Sequence, residues 1–169
     1  MAASKEHLGR MLDFMRWGDS QMILAARSVN DEGYYREQGM SLGSIHKLMV
    51  HAMAAQWIWL CRWRGETPDR IETSDDYPTR QALEQHWPLV HAAMFDFFGL
   101  QSSRGLEKIV EYRNTRGEVF AVPLYELILH VVDHATYHRG QLNSMIKRAG
   151  GTPVTVGYQQ YVIQKARHP

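Results

Sequence analysis

The sequence predicts an all-α protein: a four-helix bundle with a small β-hairpin between the third and fourth helices and a short C-terminal helix. Four long stretches carry apolar residues at helical spacing, with capping residues at their ends. Residues 106–122 differ, because β-branched and aromatic residues alternate there with polar ones, as in paired strands. Four amphipathic helices bury their apolar faces by packing together as a bundle.

Serines mark the starts of the first two helices. Ser4 and Ser44 suit N-cap positions, where a side-chain oxygen accepts a hydrogen bond from a backbone N–H of the first turn. We predict that the first helix continues to about residue 29, where the polar residues 30–33 stop it. The second helix is predicted to end at about residue 64, before a glycine and a proline.

The third helix is predicted after a loop at residues 65–78. Thr79 suits its N-cap, and Gly99 lies near its end. Pro88 falls within this stretch, where a proline either kinks the helix axis or marks the true first turn.

The hairpin and the last two helices follow. Residues 114–117, Asn-Thr-Arg-Gly, are predicted to form the hairpin turn. Pro123 suits the first turn of a fourth helix that runs to about residue 149, before two glycines. A short fifth helix is predicted over residues 158–165.

Length and composition favour one domain over residues 1–169. The chain has 44% hydrophobic and 22% charged residues and lacks a linker-like stretch, as expected for a globular domain. The net charge of +1 and the scattered basic residues argue against nucleic acid as a partner. We find neither a secretory signal nor a membrane-span pattern, and the single cysteine, Cys61, suits a reducing compartment and a packing role. We therefore expect a cytoplasmic protein without membrane contacts.

Three histidines stand four residues apart in the fourth helix: His130, His134 and His138. Residues at i and i+4 lie on the same helix face, so two of these imidazoles can bind one metal ion without bending the backbone. The 130/134 and 134/138 pairs are equivalent in spacing, and the sequence leaves open which pair binds. Arg139 and Gln141 flank His138, and we interpret them as a solvated charge and a bundle hydrogen bond.

His51 is the candidate for the third ligand, because it borders an apolar stripe on the second helix. Any one of these histidines alone is more simply a core residue satisfied by hydrogen bonds. Four imidazoles on two inward stripes, however, would be costly to bury for unrelated reasons. The set therefore indicates a shared metal ion, with an open position for water or substrate if the site is catalytic.

Several other metal sites are excluded by residue type. A zincin protease needs glutamate directly after the first histidine of its pair, where this chain has Ala135. A di-iron bundle uses Glu-x-x-His motifs, and no glutamate in this chain is followed three residues later by histidine.

The run at residues 129–141, LHVVDHATYHRGQ, resembles the histidine-rich fourth helix of the DinB family, which includes YfiT-like metal hydrolases. The resemblance extends over nearly the whole chain and includes Met15-Arg16-Trp17 and the segment at residues 44–59. It implies a metal ion held by His51, His134 and His138, with water on the open side. It also implies a homodimer.

The expected function is metal-dependent hydrolysis or thiol transfer on a small molecule, such as a thiol conjugate. A bound divalent ion acts as a Lewis acid and lowers the pKa of bound water or thiol. Zinc or nickel is expected first, and iron or manganese after them. His130 either serves as a general base, orients a ligand or is structural. The alternative function is a non-catalytic bundle that binds a metal or another ligand.

Overall fold

The computed structural model describes residues 3–114 and 116–167. Its elements are α1 (Lys5–Ala26), α2 (Asp31–Tyr35), α3 (Ile45–Trp63), α4 (Arg80–Gly99), α5 (Ser103–Leu106), β1 (Ile109–Arg113), β2 (Val119–Pro123), α6 (Leu124–Arg148) and α7 (Tyr158–Arg167). The four long helices α1, α3, α4 and α6, the hairpin between α4 and α6, and the C-terminal helix confirm the predicted fold class.

The predicted N-caps are confirmed at three long helices. The side chains of Ser4, Ser44 and Thr79 each accept a hydrogen bond from the backbone N–H three residues later. Each cap satisfies a donor that has no partner within the helix. These caps explain why α1, α3 and α4 begin where the sequence predicts.

Two short helices, α2 and α5, were not predicted. The polar run at residues 30–33 was expected only to stop the first helix, but α1 already ends at Ala26. Asn30 instead caps α2, because its side chain accepts a hydrogen bond from the N–H of Gly33. Ser102 caps α5 in the same way, through the N–H of Gly105. The same residue types that end one helix therefore begin the next.

Pro88 occupies one of the two positions considered for it, whereas Pro123 differs from its prediction. Pro88 lies in the interior of α4, so it does not mark a first turn. Pro123 was predicted in the first turn of the fourth helix, but it is the last residue of β2 and the N-cap of α6. Its ψ of 140° is extended, which suits a strand end and not a helical turn.

The predicted hairpin is confirmed. Strands β1 and β2 pair antiparallel, from Ile109 opposite Pro123 to Arg113 opposite Val119. Within the turn, Asn114 Oδ1 accepts hydrogen bonds from two backbone N–H groups, and Gly117 adopts a φ of +82°. Thr115, which the prediction placed in this turn, lies outside the described residues.

Helix α6 is central to the packing, since it contacts both α1 and α3 along the core. The apolar faces of the long helices are largely buried, although Leu24 of α1 is 53% exposed, and Cys61 is buried in α3 as expected for a packing residue. Within the part of the chain that the structure describes, no helix combines the length and apolar character needed to cross a membrane.

Arg139 is buried, and its interpretation as a solvated charge is wrong. Its side chain is 2% exposed and forms an ion pair with Asp19 of α1, with 3.2 Å between Arg139 Nη1 and Asp19 Oδ1. The buried carboxylate of Asp19 explains this burial. A guanidinium can be buried when a counter-charge and hydrogen bonds offset its loss of hydration. Gly18 makes room for this pair, since a Cβ there would lie 2.8 Å from Arg139 Cζ.

Asp19 is also the centre of a buried hydrogen-bond network that joins three further helices to α6. Gln56 of α3 donates from Nε2 to Asp19 Oδ2 over 2.7 Å, and its Oε1 accepts a hydrogen bond from Trp87 Nε1 of α4 over 2.9 Å. His91 Nε2 lies 3.2 Å from the same carboxylate oxygen of Asp19. This network fixes the helix that carries His138 relative to the rest of the bundle.

Candidate metal centre

Helices α3 and α6 bring three of the four candidate histidines together. His134 and His138 lie one turn apart on α6, with their ring centroids 4.3 Å apart. The ring of His51, on α3, lies 4.8 Å from that of His138 and 5.5 Å from that of His134. One nitrogen from each ring lies within 4.8 Å of the other two. Of the two equivalent pairs, the structure therefore groups 134/138 with His51.

His130 lies outside this three-histidine cluster. Its ring centroid is 6.1 Å from that of His134 and 4.8 Å from the ring of Trp59, which it contacts edge to face. His130 is exposed, and it lies one helical turn before the cluster. Its position is that of a neighbour of the cluster rather than a member.

Gln141 orients one ring of the cluster. His138 Nδ1 lies 2.7 Å from Gln141 Oε1, so in a neutral imidazole the Nδ1–H donates to this oxygen. The lone pair is then on His138 Nε2, which lies 3.1 Å from His134 Nε2. The same oxygen of Gln141 accepts a hydrogen bond from Ser41 Oγ. The expectation that Gln141 makes a bundle hydrogen bond is confirmed.

Burial keeps the cluster neutral near pH 7. Desolvation lowers the pKa of His51, His134 and His138, because a charged imidazole loses hydration there. The effect is strongest at His134, whose pKa falls to about 4 through desolvation and then through repulsion from neighbouring histidines. Neutral imidazoles retain the lone pair that a metal ligand needs.

One residue of the cluster, His51, borders a cavity. This cavity, of about 360 Å³, is bounded by His51 and by residues of the loop before α4. Leu42, Val50 and Ile71 supply its apolar surface, and its charged lining residues are Lys47 and Glu72. Its volume is in the range of small-molecule sites. A molecule in this cavity would contact the His51 side of the cluster.

Sequence reasoning did not identify Arg62 as a neighbour of this region. Its guanidinium carbon lies 4.5 Å from the ring centre of Trp59, the residue that also contacts His130. The spacing of three residues between Trp59 and Arg62 places them on the same face of α3, and this was the available indication.

We expect the metal-free protein to lose stability as the pH falls from 6.5 towards 4. The pKa of His134 is about 4 in the folded state against 6.5 when exposed, so the unfolded state binds more protons between these values. Acid therefore shifts the equilibrium towards unfolding across this window. Urea unfolding at pH 7.0, 5.5 and 4.5 measures the effect, and a His134→Gln variant should show a smaller pH dependence. Equal pH dependence in the two proteins would contradict this assignment.

A family model, a curated protein and a solved structure each match this chain over most of its length. The sequence model described as the DinB family matches residues 1–166. Protein DinB of Bacillus subtilis (strain 168) is 21% identical over 160 residues, which cover 90% of this chain and 92% of that protein. The crystal structure of a DinB-like protein from Bacillus cereus ATCC 10987 is similar with a TM-score of 0.66, at 17% identity, over 87% of this chain and 95% of that one.

Proposed function

The chain belongs to the DinB family, and on this premise we propose that it binds a divalent metal ion through His51, His134 and His138 and uses it in chemistry on a small molecule. The observation that carries the proposal is the convergence of three imidazole nitrogens, from two helices, within 4.8 Å of one another. Histidines buried for unrelated reasons would not be expected to bring their ring nitrogens together at one point between α3 and α6.

The chemistry of the donors fits such an ion. All three imidazoles have lowered pKa values, so they compete poorly for protons and offer neutral nitrogen ligands. Gln141 accepts the Nδ1–H of His138 and leaves Nε2 directed towards His134. Three protein ligands are the usual number for a catalytic site with an open position. Imidazole nitrogens suit zinc or nickel first, and then iron; manganese is a further candidate.

The reaction we propose is hydrolysis or thiol transfer. A bound divalent ion would supply a Lewis acid that lowers the pKa of water or of a thiol towards neutrality. The chain itself would hold the substrate in the 360 Å³ cavity beside His51. In this proposal His130, which is neutral near pH 7 because desolvation lowers its pKa, would accept a proton from its position one helical turn before the cluster, although it is not among the residues that line the cavity. This role for His130 is part of the proposal.

The open cavity favours catalysis over the alternative of a non-catalytic metal-binding bundle. A structural metal is typically enclosed by four protein ligands. Within the described residues, the group that could hold a metal contains three histidines. With a cavity on the His51 side, the arrangement fits an ion that is accessible to a second molecule.

Metal content of the purified protein tests the proposal directly. We expect about one divalent ion per chain in the wild type and a loss of most of it in His134→Ala, because removing one of three ligands leaves two. His130→Ala is the matched control, since this residue lies on the same helix outside the cluster and should leave metal content unchanged. Equal metal content in wild type and His134→Ala would overturn the proposal.

Activity measurements then separate the possible reactions. The metal-loaded wild type is assayed with activated esters for hydrolysis and with a small thiol and an electrophile for transfer. A metal-dependent rate that His134→Ala lacks would support one of these reactions. Metal binding without either activity would favour the non-catalytic alternative.

A further inference from the structure

A second cavity, of about 370 Å³, lies between α3, the loop after it and the hairpin turn. Three arginines line it: Arg62 from α3, Arg70 from the loop and Arg113 from β1. Asp69 is the carboxylate among its lining residues. The proposed metal site uses none of these side chains.

Arg62 is the unusual member of this set. Arg62 is only 9% exposed. Its guanidinium carbon lies 4.5 Å from the ring centre of Trp59 and 5.3 Å from that of Tyr112. Within residues 3–114 and 116–167, Arg62 forms neither an ion pair nor a side-chain hydrogen bond. Desolvation lowers its pKa, yet an arginine remains charged. None of its side-chain nitrogens is among the fully enclosed atoms that lack a partner, so the guanidinium is held by two aromatic rings and its N–H donors reach solvent.

The other charges of the cavity do not neutralise Arg62. Arg70 is paired with Asp76, with 2.6 Å between Arg70 Nη2 and Asp76 Oδ1, so its charge is balanced. Arg113 donates from one nitrogen to the carbonyl of Gly117 and forms no ion pair with the described residues. Arg62 and Arg113 therefore contribute two positive charges to a lining that contains one carboxylate, that of Asp69. The cavity carries one excess positive charge.

We propose that this cavity is a binding site for a small anion that carries a carboxylate or a phosphate group. A guanidinium presents a planar fork of N–H donors that matches two oxygens of such a group. Arg62 would bind the anion from the buried side, where the two rings already fix its position, and Arg113 would bind it from the exposed rim. The anion would replace water as the hydrogen-bond acceptor of the Arg62 guanidinium.

The site adjoins the proposed substrate cavity but does not depend on a metal. Ile71 lines both cavities, and the Trp59 ring contacts both Arg62 and His130. An anion bound at Arg62 would therefore lie next to the region in which we place the chemistry. Because its ligands are arginines, anion binding should persist after the metal has been removed.

The experiment measures binding to the metal-free wild-type protein. Inorganic phosphate and succinate are titrated separately at constant ionic strength, maintained with sodium chloride, and neutral succinamide serves as the uncharged comparison. We expect phosphate or succinate, but not succinamide, to raise the melting temperature, because a ligand of the folded state stabilises it. The stronger of the two anions indicates whether phosphate or carboxylate is preferred.

Variants then assign the binding to the cavity. Arg62→Met, which keeps the length of the side chain, should weaken the binding at least about tenfold. Arg148→Gln removes an exposed arginine from the last turn of α6 and should leave the binding unchanged. Replacing a buried cation by an apolar side chain is compatible with folding. Arg62→Lys, which keeps the charge but loses the fork, should give an intermediate affinity.

Three results would overturn the proposal: no binding of either anion to the wild type, equal binding by wild type and Arg62→Met, or equal weakening in Arg148→Gln. Should Arg62→Met fail to fold, equal affinity in wild type and Arg62→Lys would overturn it. The fate of the metal site is measured separately. His134→Ala should bind the anion normally, so a failure of the metal proposal would not be mistaken for a failure of this one.

Discussion

Asp19→Asn is expected to lower the free energy of unfolding by about 3–5 kcal/mol. The substitution keeps the shape of the side chain but removes the negative charge that lies 3.2 Å from Arg139 Nη1. Arg139 is 2% exposed, so its charge would remain buried without a counter-ion. Urea unfolding measures the loss, which should also lower the melting temperature by about 2–4 °C per kcal/mol.

Asp13→Asn is the matched control for this prediction. Asp13 lies on the same helix and pairs with Arg16 and Lys165, but those partners are about half exposed. Ion pairs near the surface contribute only about 0–1 kcal/mol, so a small change is expected. Equal destabilisation by the two substitutions would show that the buried pair with Arg139 has no special importance.

Trp87→Ala is expected to destabilise the protein by a similar amount, about 3–5 kcal/mol. The indole is 1% exposed and fills the space between α4 and the rest of the core. Its Nε1 also donates to Gln56 Oε1, at 2.9 Å. Truncation therefore leaves both a cavity and a buried acceptor without its donor. Chemical denaturation of wild type and variant measures the difference.

Trp87→Phe separates these two contributions. This variant retains an aromatic ring but removes the N–H, so we expect a smaller loss of about 1–3 kcal/mol. We expect the lost side-chain volume to account for most of the destabilisation in Trp87→Ala. A loss in Trp87→Phe as large as in Trp87→Ala would contradict this expectation. Because Gln56 also bonds Asp19, the effects of changing Asp19 and Trp87 should not be additive.

The starts of the long helices could be predicted because their determinants are local. Ser4, Ser44 and Thr79 each accept a hydrogen bond only three residues away, and such a pattern is visible in the sequence. The short helix α2 was not predicted, because asparagine occurs both at the end of one helix and at the N-cap of the next. Asn30 could therefore be interpreted as a helix stop alone. A five-residue helix has too few apolar positions to show periodicity.

Spacing left the choice between the histidine pairs open and the resemblance to the DinB family implied 134/138; the packing of α3 against α6 gives the physical reason. His51 precedes Trp59 by eight positions, and it meets His134 and His138, whereas Trp59 meets His130. A residue early in α3 thus lies beside residues later in α6, as in an antiparallel pair. Spacing within α6 alone carries no information on this register.

The ion pair of Asp19 and Arg139 was beyond sequence reasoning for a related reason. The two residues are 120 positions apart, and each resembles an ordinary surface charge among its neighbours. Gly18 gave no indication of its role, because a helical glycine has several possible causes. Only the position of the buried Arg139 guanidinium shows that a Cβ at Gly18 would collide with it.

The buried thiol of Cys61 gives the bundle a natural reporter. It is the single cysteine of the chain, it lies on the helix that carries His51, and burial raises its pKa to about 11. An alkylating reagent reacts with a thiolate, so modification requires that this helix first separate from its neighbours. The rate of labelling at this position thus follows transient opening at the C-terminal end of α3 without any introduced probe.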